Sequence, residues 1–298
     1  MIKNAIELKN LTKMYGMGVG VKDISLSVPQ GSVFGFLGPN GAGKSTTINM
    51  LVDLIRPTSG HAVLFGLDSV KDSLKVRRTL GFLSGEMSFD GSLTGRQQLE
   101  YFGNLHENVD RKHIEKLSIR LHAQLDKKIK NMSRGNRQKI GLISALMHKP
   151  KLLVLDEPTS GLDPLIQAEF NALLVEHKQN GGTAFVSSHV LSEVQEICDT
   201  VAFIREGELI AQRNMDDLTK QAQKQISITG ASKQLQQKLQ KLDGLTEFVQ
   251  TGVRVTALFQ GNINSLLQLI SGYAVSDVSI SDVDLESIFM TFYEKKDV

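Results

Sequence analysis

Residues 38–46, Gly-Pro-Asn-Gly-Ala-Gly-Lys-Ser-Thr, fit the phosphate-binding loop pattern G-x-x-x-x-G-K-[ST] at every required position. Glycine at Gly38, Gly41 and Gly43 permits backbone conformations closed to residues with a Cβ. The loop through Pro39, Asn40, Ala42 and Thr46 is therefore expected to converge its N–H groups on a polyphosphate. Lys44 is expected to reach the terminal phosphates, and the Ser45 hydroxyl to ligate Mg²⁺. Residues 45–54 read as a helix whose positive N-terminus faces the anion. The apolar run 32–37, bounded by Gly31 and Gly38, reads as the buried strand that must precede such a loop.

A second run, Lys-Leu-Leu-Val-Leu-Asp-Glu over 151–157, supplies what hydrolysis needs beyond a cradle. Asp156 ends an apolar strand, where a carboxylate can hold Mg²⁺ through its water shell. Glu157 follows, where a second carboxylate can act as general base on an attacking water. Taken alone, the run is equally an acidic strand end turned by Pro158; the upstream phosphate loop favours the paired reading.

These residues need strands to carry them. Residues 5–8 and 21–28 alternate as strands suited to a sheet edge beside the nucleotide, and 61–65 follows the turn cluster 56–60 as another. Residues 93–125 have helical spacing and many charges, consistent with a small helical insertion. The apolar runs 151–156 and 183–187 are of the kind buried in a parallel sheet, and 201–204 precedes a turn at Glu206-Gly207. Composition turns polar from Arg213 to Lys224, which places a boundary between residues 1–215 and an accessory α+β domain over 216–298. Within the latter, strands are expected over 225–229, 245–249 and 253–258, and helices over 262–271 and 284–293.

Length and composition set the remaining bounds. The 298 residues suffice for one large domain or two ordinary ones. The formal net charge is only +2, with no electrostatic footprint of a nucleic-acid binder, so no nucleic-acid partner is expected. A single cysteine, Cys198, and no signal-like opening favour a reducing, cytoplasmic setting, with Cys198 packed rather than reactive. The richest apolar stretch, 140–147, is far short of a membrane span.

Residues 156–164, Asp-Glu-Pro-Thr-Ser-Gly-Leu-Asp-Pro, together with the phosphate loop and Ser187-Ser-His189, resemble the ATP-binding subunit of an ABC transporter. The resemblance covers residues 1 to about 215 and implies an α/β fold: a mixed-sheet core with an antiparallel β subdomain and a helical subdomain. It implies ATP and Mg²⁺ as cofactors. Tyr15 resembles the aromatic that stacks on adenine, although it also reads as an ordinary strand-end tyrosine. Residues 132–136, Met-Ser-Arg-Gly-Asn, resemble the signature sequence Leu-Ser-Gly-Gly-Gln but depart from it at Met132, Arg134 and Asn136. Ser133, Gly135 and Asn136 would grip the γ-phosphate held by a second cassette, while the same residues alone form a plain helix cap. Asp163 resembles the D-loop residue that links two sites across a dimer, and His189 the switch histidine that orients Glu157 and water.

Gly85 stands where the family places a glutamine that couples hydrolysis to its membrane partner. The tail at 284–289 resembles bacterial exporters of drugs, antibiotics, peptides or lipids. The resemblance therefore implies an ATPase peripheral to the cytoplasmic face of the membrane, paired as a homodimer with a separate permease. A soluble ABC ATPase of translation or DNA repair is the alternative; those chains join two cassettes or insert a coiled coil or zinc elements, none of which is visible here.

Overall fold

The computed structural model describes residues 3–16, 18–85, 87–106, 109–221 and 224–282. The expected helix at 284–293, the tail at 284–289 and Glu86 lie outside the described residues. The chain divides into two compact units, Met1–Met215 and Asp216–Val298.

In the first unit the order is β1 (Asn4–Tyr15), β2 (Gly18–Pro29), β3 (Val33–Leu37), α1 (Lys44–Leu51), β4 (Ser59–Leu64), β5 (Leu67–Asp68), α2 (Ser73–Thr79) and β6 (Leu80–Leu83). There follow α3 (Gly95–Gly103), α4 (Arg111–Arg120), α5 (Arg134–Leu146), β7 (Leu152–Asp156), α6 (Pro164–Gln179), β8 (Thr183–Ser188), α7 (Leu191–Ile197), β9 (Thr200–Arg205) and β10 (Glu208–Asn214).

The central sheet has the order β10-β9-β3-β8-β7-β6, parallel except for the β9–β10 hairpin. Strands β3, β7 and β8 are buried at every residue, which is why they read as continuous apolar runs without alternation. Phe185 on β8 stacks on Phe34 with ring centroids 5.6 Å apart and meets Phe36 at 5.3 Å, so aromatic packing bolts β8 to β3.

Strands β1 and β2 lie outside this sheet, in the antiparallel subdomain that the resemblance implies. They form a separate antiparallel sheet, β2-β1-β4-β5, whose buried Leu8, Leu11, Ile24 and Leu64 join Phe34 and Ile48 in one core. One face packs inward and the other meets water, which is what period-two alternation records. The helical insertion resolves into α3 and α4 packed on α5, with α3 opened by a Thr94–Gln97 capping box.

Helix α1 ends at Leu51 rather than at Leu54. Asp53 takes a left-handed φ of 54°, and the Leu54 N–H donates to the Asn49 carbonyl at 2.8 Å, closing the helix with a turn that its apolar spacing does not announce. Cys198 is buried beside Gly35, where an added Cβ would come within 3.1 Å of the Cys198 sulfur. Burial pushes the Cys198 thiol well above its usual range.

The second unit holds α8 (Met215–Gln221), whose first residue closes the first unit, then β11 (Lys224–Thr229), α9 (Lys233–Leu239), β12 (Leu245–Thr251), β13 (Arg254–Phe259), α10 (Ile263–Ser271) and β14 (Asp277–Asp282). Its antiparallel sheet runs β12-β13-β11-β14 over a core of Ile226, Ile228, Leu235, Phe259 and Leu266. Helix α9 and strand β14 have no counterpart in the sequence reading: one is seven residues long, and the other alternates serine with aspartate and short apolar side chains.

Phe185→Ala removes the ring that joins β8 to β3 and should cost the first unit about 3–5 kcal/mol in chemical denaturation. Burial also lowers the pKa of His113, His148 and His177, so the unfolded chain takes up these protons first as pH falls. Folding stability should therefore be full at neutral pH and decline below about 6.5, the free imidazole value; denaturation midpoints measured from pH 7.5 to 5 check this.

Candidate active site

Parallel register delivers the chemistry to one edge. Leu37 on β3 pairs with Ser188 on β8, Ser187 pairs with Asp156 on β7, and Leu83 on β6 pairs with Leu155. The next residues along these strands are Gly38, His189, Glu157 and Ser84, so the phosphate loop, both carboxylates and the histidine leave the carboxyl end of the sheet together. That edge is where open α/β sheets bind ligands.

The loop's glycines are required by contact as well as by conformation. A Cβ on Gly38 would lie 2.4 Å from the Ile204 carbonyl oxygen, and one on Gly43, whose φ is 104°, would lie 2.6 Å from Val21. Gly20 and Val19 of β2, with Asn40, Lys44, Ser45 and Thr46, line a cavity of about 240 Å³ over the loop. Pro39, Asn40 and Gly41 are exposed, and Ala42 is buried with its carbonyl accepting from the Gly207 N–H.

Lys44 is buried, and its ammonium donates to the carbonyl oxygens of Gly38 at 2.7 Å and Pro39 at 3.2 Å. It also stands 3.1 Å from Glu157 Oε1 as an ion pair. The other oxygen of that carboxylate, Oε2, lies 2.7 Å from His189 Nδ1. One carboxylate thus bridges the loop lysine and the histidine after β8. Glu157 adopts a left-handed φ of 49°, a strained backbone for a residue with a Cβ. Neighbours hold it there. Its N–H donates to Ser187 Oγ at 3.0 Å, and Gln138 Nε2 donates to its carbonyl at 3.3 Å and to that of Pro158 at 2.9 Å.

Asp156 is buried, and its Oδ1 accepts from Ser187 Oγ at 2.6 Å. Ser187 therefore fixes both carboxylate residues at once. Glu193 on α7 accepts from Thr159 Oγ1 at 2.9 Å and Ser188 Oγ at 2.8 Å, tying the segment after Glu157 to the segment that bears His189. A cavity of about 630 Å³ brings Ser45, Asp156, Glu157 and His189 to common walls with Gly85 and Arg134.

Other expected site residues stand apart from these cavity walls. Ser133 and Gly135 do not line them. Ser133 is exposed and caps α5, accepting from the Asn136 N–H at 3.2 Å. Gly135 abuts the D-loop: a Cβ there would lie 2.6 Å from the Gly161 carbonyl oxygen.

Asn136, expected beside Ser133 at the γ-phosphate, is instead turned inward. Its carboxamide is buried and exchanges hydrogen bonds with the Gln124 backbone at 2.8 and 3.1 Å. A buried amide must be paired, and these partners consume it. Asp163 is exposed and caps α6, accepting from the Ile166 N–H at 3.1 Å ahead of Pro164. Tyr15 is half exposed beneath the Lys13 ammonium and packs on Gly20, whose carbonyl borders Gly43.

A phosphate loop and paired strand-end carboxylates at the carboxyl edge of a parallel sheet define a phosphate-loop nucleotide hydrolase. Comparison with known proteins narrows the class. The family described as ABC transporter matches residues 21–160. The bacitracin transport ATP-binding protein BcrA of Enterococcus faecalis is 34% identical over 297 residues, 97% of this chain and 96% of that protein. The probable multidrug ABC transporter ATP-binding protein YbhF of Escherichia coli is 38% identical over 225 residues, 74% of this chain and 39% of that protein. A solved ATP-binding subunit of an ABC transporter superposes with a TM-score of 0.66 at 26% identity, covering 73% of this chain and 92% of that one. The chain belongs to the ATP-binding proteins of ABC transporters. It binds ATP and hydrolyses it, and among the described residues no helix is long and apolar enough to cross a membrane.

Ser187, Gln138 and Glu193 carry positioning roles that motif reading passes over. Ser187 had a legible signal, since it ends an apolar strand that must lie beside the strand ending in Asp156; the other two are reached only through tertiary packing. Ser187→Ala leaves the Asp156 oxygen and the Glu157 N–H without their shared partner, at a cost of about 1–3 kcal/mol. It should lower kcat about 10- to 100-fold by loosening the Glu157 carboxylate, with ATP affinity nearly unchanged. Steady-state ATPase kinetics beside an equilibrium ATP titration check both halves.

Proposed function

We propose that this chain is the ATP-hydrolysing subunit of an exporter, in which two copies close on two Mg-ATP and drive a separate membrane permease. The observation that carries this reading is the end-to-end similarity, C-terminal unit included, to a bacitracin transport ATP-binding protein. The cargo class that fits is a peptide antibiotic or other drug-like amphiphile. The chain's place is then the cytoplasmic face of the membrane, held there by the permease.

The geometry supplies a mechanism for the ATP step. Polyphosphate entering the loop meets converging N–H groups, the α1 N-terminus and Lys44. Phosphate oxygens compete with Glu157 for the Lys44 ammonium, and that exchange frees Oε1, which apart from this ion pair has no hydrogen-bond partner among the described residues. Glu157 can then take a proton from water while Oε2 stays against His189. Ser45 and Asp156 suit a hard cation: both present oxygen to one cavity, and Gly85 leaves Asp156 Oδ2 uncovered, a Cβ there already coming to 3.0 Å. Bound Mg²⁺ would neutralise charge developing on the phosphates.

Ser133 and Gly135 lie outside the cavity that holds Glu157, which favours their use on a nucleotide held by another copy. Tyr15 and Asp163 take their places in this reading as the adenine platform and the inter-site link. Co-expression with a candidate permease should yield a membrane complex whose inverted vesicles take up bacitracin or a related antibiotic only with ATP. Lys44→Ala should abolish that uptake. Stable association with ribosomes or DNA and none with a permease would contradict the proposal.

A further inference from the structure

Arg134 stands where the resembled signature has glycine, and nothing in the family pattern assigns it a task. It is the first residue of α5, and the first turn of that helix carries no acidic side chain. A cation there opposes the positive end of the helix and costs stability unless an anion repays it. Arg137 and Lys139 follow on the same helix and increase the local positive charge.

The side chain is held in a defined place. Its Cδ would lie 3.7 Å from a Cβ on Gly161, and its Nη2 donates to Ser160 Oγ at 2.9 Å. Ser160 is a neutral partner, and no carboxylate of the described residues forms an ion pair with Arg134. The guanidinium is exposed and lines the cavity of about 630 Å³ that also holds Ser45, Asp156, Glu157 and His189.

We propose that Arg134 is a phosphate-contacting residue, its guanidinium donating to the terminal phosphate of bound ATP from the signature side. A planar guanidinium offers paired donors that match phosphate oxygens, and Ser160 engages only one of its nitrogens. It supplies positive charge where the departing phosphoryl group gathers negative charge. The nucleotide is held by the phosphate loop of the same chain or by that of a second copy. The second case rests on the two-cassette reading proposed above.

The test uses the full-length chain. Arg134→Ala should lower kcat/KM for ATP by about tenfold or more. Arg134→Lys should fall between it and wild type, because it keeps the charge and loses the fork. Ser160→Ala should stay within about threefold of wild type, because it removes the neutral partner and leaves the cation. The vanadate concentration that halves activity should rise in Arg134→Ala and not in Ser160→Ala. Equal kcat, KM and vanadate sensitivity in Arg134→Ala and Ser160→Ala would overturn the proposal and reduce Arg134 to a brace for the D-loop.

In mixed dimers containing one Lys44→Ala chain, a loss that follows Arg134→Ala on the chain keeping Lys44 marks contact within one chain. A loss that follows it on the other chain marks contact across the pair. A monomeric mass for the ATP-loaded wild-type chain at the concentrations where it hydrolyses ATP, read by sedimentation, would remove the two-cassette reading and leave the contact within one chain standing.

Discussion

The carboxylate of Glu157, held between the Lys44 ammonium and the His189 ring, is the interaction on which the site depends. It joins the three stretches that sequence motifs treat separately: the phosphate loop, the strand-end acid pair and the histidine after β8. The strained backbone at Glu157 is the cost of aiming that carboxylate along the sheet edge, and Ser187 and Gln138 offset it. A carboxylate on a relaxed turn would be free to swing; this one is over-determined.

That junction is possible because β3, β8 and β7 lie side by side in parallel register. A shift of one residue would place Ser187 away from Asp156 and turn each side chain to the opposite face of the sheet. The aromatic stack of Phe34, Phe185 and Phe36 locks the β3–β8 half of that register. The antiparallel sheet contributes at a distance, since its β2 strand brings Gly20 and Val21 against Gly43 and so limits the loop to one conformation.

Legibility in the sequence tracked locality. The phosphate loop, the strands before it and before Glu157, and the turn at Glu206-Gly207 are each written in contiguous residues, and the structure forms them with Glu206 and Gly207 both at positive φ. The end of α1 was not legible, because a left-handed Asp53 leaves no mark on apolar spacing. The separate antiparallel sheet was legible only through the family resemblance, because alternation reports a half-buried strand without naming its neighbours. Asn136 misled for a related reason: its position in the signature suggests a ligand contact, while its burial depends on Gln124, twelve residues upstream. The Lys44–Glu157 pair joins residues more than a hundred positions apart, and only the fold brings them together.

The role proposed for Glu157, serving hydrolysis while contributing little to holding ATP, is checked by replacing that carboxylate with its neutral isostere. Glu157→Gln keeps the shape and removes the base. Single-turnover hydrolysis should fall at least about 100-fold, while the equilibrium dissociation constant for ATP stays within a few-fold of wild type. Hydrolysis near the wild-type rate, or affinity lost in step with rate, would contradict the account.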